Sequence, residues 1–181
     1  GDAMVLDAAT LSFDGTVQSK GDFSVALVGD YTLGGPAFYQ AGGSVSLAFP
    51  GLVTNNSVLG SDHNLSISGG SVFNGADGVI SAKGTLAVHA TQGDLVNRGR
   101  LDGDLVVATG TNLDNAGGRI TGNALYADFS GHANNVAGSI DMRGASEIHV
   151  KGNFNNDAGR IDSGSLYLDV GGNLSLRTQA G

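Results

Sequence analysis

The sequence has no cysteine and no tryptophan, only two prolines, and nine lysines and arginines against seventeen aspartates and glutamates in 181 residues. Without cysteine there is no disulfide scaffold, no thiolate nucleophile and no cysteine-ligated zinc. That absence does not fix a compartment, because a chain exported unfolded also gains from having no thiol to oxidise. The formal net charge is -8 and the basic residues are scattered singly along the chain. Binding phosphates needs clustered lysine and arginine, so nucleic acid and anionic membrane faces are poor partners. No stretch approaches the ~20 apolar residues that span a bilayer, so no membrane insertion is expected. The start, Gly1-Asp2-Ala3-Met4, lacks the charged-then-apolar plan of a signal peptide.

What is abundant is glycine: 31 residues, or about 17% against a usual ~7%. Each glycine inside a helix costs ~1 kcal/mol relative to alanine, which argues against long helices. Collagen is excluded because its glycine falls at every third position among many prolines. A hydrophobic content of 40% excludes a disordered polar tract. The composition is that of a turn-rich, all-β domain.

The organisation emerges from internal repetition. Triplets ending in asparagine recur as Val53-Thr54-Asn55, Val72-Phe73-Asn74, Leu95-Val96-Asn97, Leu113-Asp114-Asn115, Ala133-Asn134-Asn135 and Phe154-Asn155-Asn156. A few residues after each comes an apolar residue: Leu59, Ile80, Leu101, Ile120, Ile140 and Ile161. These are spaced about 19 to 21 residues apart, the range of solenoid rungs. An alternating strand follows in each row, for example Leu65-Ser66-Ile67, Leu86-Ala87-Val88, Leu105-Val106-Val107, Leu125-Tyr126-Ala127, Ile148-His149-Val150 and Leu166-Tyr167-Leu168. A row of this length is too short for a βαβ unit and shows no helical spacing. It cannot bury an apolar face alone, but it can if each row stacks on the last with strands in parallel. The expected fold is a parallel β-helix of roughly nine rungs, a rod of order 40 Å at ~4.8 Å per rung.

Stacking predicts a structural role for the repeated asparagines. Asn55, Asn74, Asn97, Asn115, Asn135 and Asn156 would lie one above another and form an amide ladder. In the stretches Asn115-Ala116-Gly117-Gly118, Asn135-Val136-Ala137-Gly138 and Asn156-Asp157-Ala158-Gly159, the glycine would close a corner by tolerating left-handed backbone. Residues 51–181 form the regular part of this single β-helix, and residues 1–50 continue it less regularly. An irregular loop is expected at 30–43, where Tyr31, Phe38 and Tyr39 crowd a glycine-rich run. It can either leave the rod as an interaction loop or fold back onto it as a long turn.

Catalytic chemistry is sparse. Most aspartates adjoin glycine, as in Asp14-Gly15, Asp77-Gly78 and Asp102-Gly103, and read as turn residues. Asp102, Asp104, Asp141 and Asp162 fall at corresponding places on neighbouring rungs, with Arg119, Arg143 and Arg160 nearby, and predict a charged solvated stripe. His63, His89, His132 and His149 show no metal-ligand pairing, and no phosphate-cradling loop leads into a helix. No cofactor is expected, and no catalytic or metal residue is assigned. The rival reading is a carbohydrate-active or glycan-binding β-helix, which needs a carboxylate pair and basic residues on one side of adjacent rungs.

Three stretches carry a family resemblance: LDNAGGRITGNALYA at 113–127, FNNDAGRIDSGSLYLDVGGNL at 154–174 and LVNRGRLDG at 95–103. They resemble the filamentous haemagglutinin repeats of bacterial two-partner secretion exoproteins, the large adhesins and contact-dependent growth inhibition stick proteins. The resemblance implies a right-handed β-helical filament, exported unfolded through an outer-membrane two-partner transporter and displayed at, or released from, the surface of a Gram-negative cell. A host or target-cell receptor or glycan is the further partner it implies. The Asn-Pro-Asn-type signals of the secretion domain and the Val-Glu-Asn-Asn toxin boundary are absent, so the segment reads as a mid-filament shaft.

Overall fold

The computed structural model describes residues 3–8, 15–34 and 38–178. The expected strand at 11–13, together with Asp14 and Pro36, lies outside the described residues. Among the described residues there is no helix. About 66% of the described residues are strand, stacked as a parallel β-solenoid of about eight turns some 20 residues apart. Nine strands stack along the main path of the larger sheet, in keeping with the roughly nine rungs expected. Phe23 pairs with Val45 and Tyr31 with Val53, a 22-residue step in each case.

Two sheets run the length of the rod. The larger begins with Met4–Ala8, Phe23–Leu27, Val45–Ala48 and Leu65–Gly69, and continues through five long strands, Val79–Ala90, Arg100–Gly110, Arg119–Phe129, Ser139–Val150 and Arg160–Val170. A side branch of Thr16–Ser19, Phe38–Ala41 and Val58–Ser61 pairs onto the first half of Val79–Ala90. The separate strands of the early rungs therefore merge into one long strand per rung from Val79 onward. Most long-strand pairs break register midway, for example between Ala82 and Thr85. The smaller sheet stacks eight short strands, from Tyr31–Leu33 to Leu174–Ser175.

Alternation decides what faces in. Leu59, Ile80, Leu101, Ile120 and Ile140 stack in register, each at most 1% exposed. Val53, Val72, Leu95, Leu113, Ala133 and Phe154 form a second column on the smaller sheet. Full burial of such side chains stabilises by ~1.5–3 kcal/mol each. In two rows the expected strand register needs correction. Leu86 pairs with Val106, which leaves Leu105 and Val107 facing outward. Ile148 pairs with Ala127, so buried Ser146 occupies the rung place above Leu125. The shifts at the strand midpoints cause both, since a one-residue slip exchanges the faces of a strand.

Candidate functional site

The most continuous polar feature lies inside the rod. Asn55 donates through Nδ2 to Asn74 Oδ1 at 2.8 Å, Asn74 to Asn97 at 2.8 Å and Asn97 to Asn115 at 2.7 Å. Asn115 donates to Asn135 and Asn135 to Asn156, each at 2.6 Å. All six are buried, and every bond runs in the same direction along the chain. Buried amides without partners would be costly, and the stack supplies each amide with its neighbour. At the lower end Leu33 takes the place below Asn55. There the Asn55 carbonyl is met by the Ser57 backbone N–H and hydroxyl, at 3.3 and 3.2 Å. At the upper end Asn156 Nδ2 donates to the Gly159 carbonyl at 3.4 Å. Asn55, an Asn-x-Ser sequon by sequence, is fully buried in it.

The corners after these asparagines divide two tasks that the sequence reading gave to one glycine. Left-handed backbone falls on Gly117, Ala137 and Ala158, with φ of 67°, 52° and 53°. The following Gly118, Gly138 and Gly159 are excluded from carrying a side chain for another reason. A Cβ there would press against the carbonyl oxygens of Asn97, Asn115 and Asn135 respectively.

A second ladder runs on the outside. Asn112 Nδ2 donates to Asp94 Oδ1 at 2.8 Å, and Asn112 Oδ1 accepts the His132 backbone N–H at 2.6 Å. His132 Nδ1 accepts the Asn153 N–H at 2.8 Å, and Asn153 Oδ1 accepts that of Asn173 at 2.9 Å. A histidine ring nitrogen therefore stands in for an asparagine carbonyl.

Tyr31 and Tyr39 are not part of an interaction loop. They are 4% and 2% exposed and lie in the strands Tyr31–Leu33 and Phe38–Ala41. Tyr31 stacks on Phe49 at 5.0 Å. Burial, then the hydrogen bond with Tyr39, pushes its phenol well above the ordinary value. Phe38 is half-buried between Thr16 and Val58 on neighbouring rungs. Alternating apolar residues in 31–41 were the available signal for two strands, and the intervening glycines hid it.

The scattered basic residues are gathered by the fold. Lys83, Arg100, Arg119 and Arg143 line one groove of about 750 Å3 on the outer surface of the long strands, and Arg160 lines the hollow next to it. Asp102, Thr121, Asp141 and Asp162 occupy one register column. Arg100 pairs with Asp102 at 2.8 Å, Arg119 with Asp141 at 3.1 Å, and Arg160 with both Asp141, at 3.5 Å, and Asp162. Thr121 donates to Asp102 at 2.5 Å. Asp104 lies at the midpoint shift rather than in this column, although it lines the same groove. Asp102, Asp141 and Asp162 are strand residues, not turn residues. The missed signal was Arg-x-Asp, since residues two apart share a strand face. Exposed pairs of this kind contribute only ~0–1 kcal/mol each. Away from the groove, Asp114 is half-buried. Burial opposes its ionisation, but hydrogen bonds from Arg98, the Ala116 backbone and Asn134 outweigh that and hold it below its ordinary value.

His149 lies on another outer face. Its Nε2 meets Glu147 Oε1 at 2.7 Å and its Nδ1 is 3.6 Å from Asp169 Oδ2. The Glu147 hydrogen bond, aided by Asp169, raises its pKa above the ordinary value. Among the described residues no group of three or more histidines and carboxylates is arranged to hold a metal ion.

A rod of stacked rungs, with its polar order turned inward as an amide ladder and a stripe of ion pairs on its outer surface, defines a structural β-solenoid. The chain matches the Haemagglutinin repeat family over residues 32–178 and belongs to it. No curated protein and no solved structure matches the chain. Family and fold are typical of structural, adhesin-like proteins and suggest a shaft segment of a filamentous adhesin-like protein that is secreted and surface-exposed.

Proposed function

We propose that this segment is a spacer in the shaft of a secreted exoprotein of a Gram-negative cell, holding a distal adhesive or toxin-delivery module away from the surface. Its mechanism is mechanical. Export through an outer-membrane two-partner transporter delivers the chain unfolded, and rungs then stack one on another outside the cell. The observation that supports this reading is the unbroken amide ladder from Asn55 to Asn156, which links six successive rungs. A nearest-neighbour stack of this kind can be lengthened or shortened by whole rungs without altering its ends.

The test uses the exoprotein that carries the segment. Removing residues 116–135 joins Asn115 to Val136 in register and shortens the shaft by one rung, ~4.8 Å. Surface display and the activity of the distal module should both survive. Loss of module activity with display intact would contradict a spacer role.

The second reading, a carbohydrate-active β-helix, draws support from the groove, where carboxylates and arginines share one side of adjacent rungs. Each of Asp102, Asp141 and Asp162 is committed to an arginine, which favours a structural stripe over an acid–base pair. Release of reducing ends or unsaturated sugar from a polysaccharide panel would favour the enzyme.

A further inference from the structure

Outward columns of the long strands are small or polar over most rungs. One reads Ala87, Val107, Tyr126, Glu147 and Tyr167, and the next reads His89, Thr109, Asp128, His149 and Asp169. Only in the last three rungs do rings on this surface come into contact with one another. Tyr126 and Tyr167 are 38% and 60% exposed. The His149 ring sits between theirs, with centroids 6.0 Å from Tyr126 and 5.5 Å from Tyr167 and tilts of 53° and 51°. The three rings are staggered up the rod, with His149 one outward column to the side of the two tyrosines. Scattered exposed apolar residues need no explanation, but a contiguous strip of rings that leaves the core untouched does.

The chemistry beside the strip narrows its occupant. A hollow of about 400 Å3 adjoins it, lined by Tyr126, Asp128, His149, Lys151 and Asp169 among others. Glu147 projects from the same surface. Aromatic rings offer broad, rigid contact to an apolar face, while carboxylates accept hydrogen bonds from hydroxyls. A pyranose ring presents both, an apolar C–H face and a rim of hydroxyls. Three carboxylates against one ammonium and one imidazole, on a chain of net charge -8, repel anionic sugars. Tyr126 and Tyr167 lie in one column two rungs apart, roughly 10 Å. In an extended β-linked chain, alternate residues present the same face, so rings two residues apart meet a column of this kind.

We propose that the Tyr126–His149–Tyr167 strip binds a neutral, extended β-linked oligosaccharide laid along the rod axis, with alternate sugar rings stacked on the two tyrosines. The site goes beyond the spacer reading and does not depend on it, since a shaft can carry this strip or lack it.

The test is titration of the segment, followed by calorimetry or amide chemical shifts, with cellohexaose, xylohexaose and chitohexaose, and with an oligogalacturonate of equal length. At least one neutral hexasaccharide should bind at millimolar or lower concentration, with the galacturonate markedly weaker. Tyr126→Ala and Tyr167→Ala should each weaken binding about threefold to tenfold, and Tyr126→Phe and Tyr167→Phe should hold it within about twofold. All four variants should keep the parent circular dichroism spectrum, because the rings lie outside the core. No binding of any neutral hexasaccharide, equal binding of the galacturonate, or titrations unchanged by both alanine variants would each overturn the proposal. None of these results bears on the rung-deletion test of the spacer.

Discussion

Asn115 and Asn135, on successive rungs, are joined by an Nδ2–H···Oδ1 bond of 2.6 Å in the interior of the rod. The Asn115 carbonyl meanwhile accepts from Asn97 at 2.7 Å. One residue therefore serves the rung below and the rung above.

Replacing it strands two partners at once. Asn115→Leu leaves the Asn97 amide and the Asn135 carbonyl buried without their bonds, at ~1–3 kcal/mol for each group. Leucine itself is tolerated in this column, as Leu33 shows, so the cost arises from the neighbours. Asn64 lies off the ladder and accepts only the exposed Thr85 N–H through its side chain. Urea melts should lower the midpoint of Asn115→Leu well below that of Asn64→Leu. Equal midpoints would remove the ladder from the stability of the rod.

The corner residues give opposite signs at adjacent positions. Ala137 pays for left-handed backbone, so Ala137→Gly should be neutral or stabilising by up to ~1 kcal/mol. Gly138→Ala forces a methyl group against the Asn115 carbonyl and should destabilise by ~1–3 kcal/mol, as overpacking does. Thermal unfolding of the two variants checks both signs.

The outer ladder makes His132 replaceable by the residue it imitates. His132→Asn should leave the thermal midpoint nearly unchanged, since an asparagine oxygen can accept the Asn153 N–H. His132→Leu should lower stability by ~0.5–1.5 kcal/mol, the net worth of an ordinary hydrogen bond. Comparison of the two melts separates the bond from the bulk of the ring.

His149 titrates above the ordinary histidine value because Glu147 first, and Asp169 second, favour its charged form. A raised folded-state pKa stabilises the protein fully below the unfolded value of ~6.5, and that contribution is lost as pH rises through the folded value. An NMR titration should place the His149 midpoint above that of an unperturbed histidine. Glu147→Gln should move it down and reduce the fall in thermal midpoint over the same window.

Much of the fold was legible because a solenoid repeats its evidence. Six asparagine triplets and six apolar residues in phase established rung length, parallel stacking and the column at Leu59, Ile80 and Leu101. Local features without repetition were not legible. The strand-midpoint shifts that turn Val106 inward and Leu105 outward change one residue of length per rung, which alternation alone cannot locate. Tyr31 and Tyr39 looked like loop aromatics because the strands around them are three and four residues long. The charged stripe was legible because Asp102, Asp141 and Asp162, with Arg119, Arg143 and Arg160, recur at rung spacing. Lys83 and Arg100, by contrast, were not placed with it, and Asp104 was assigned to a column that the midpoint shift denies it.

The most direct test of the rod as a stack of interchangeable rungs is a pair of deletions in this segment, compared by thermal melting and by scattering. Deleting residues 116–135 removes one whole rung and keeps Asn115 followed by Val136. Deleting 116–125 removes half a rung and throws every later residue out of register. A cooperative melt and a rod shorter by ~4.8 Å are expected for the whole-rung deletion, with loss of cooperative unfolding for the half-rung deletion. Equal damage from both, or equal tolerance of both, would contradict the account.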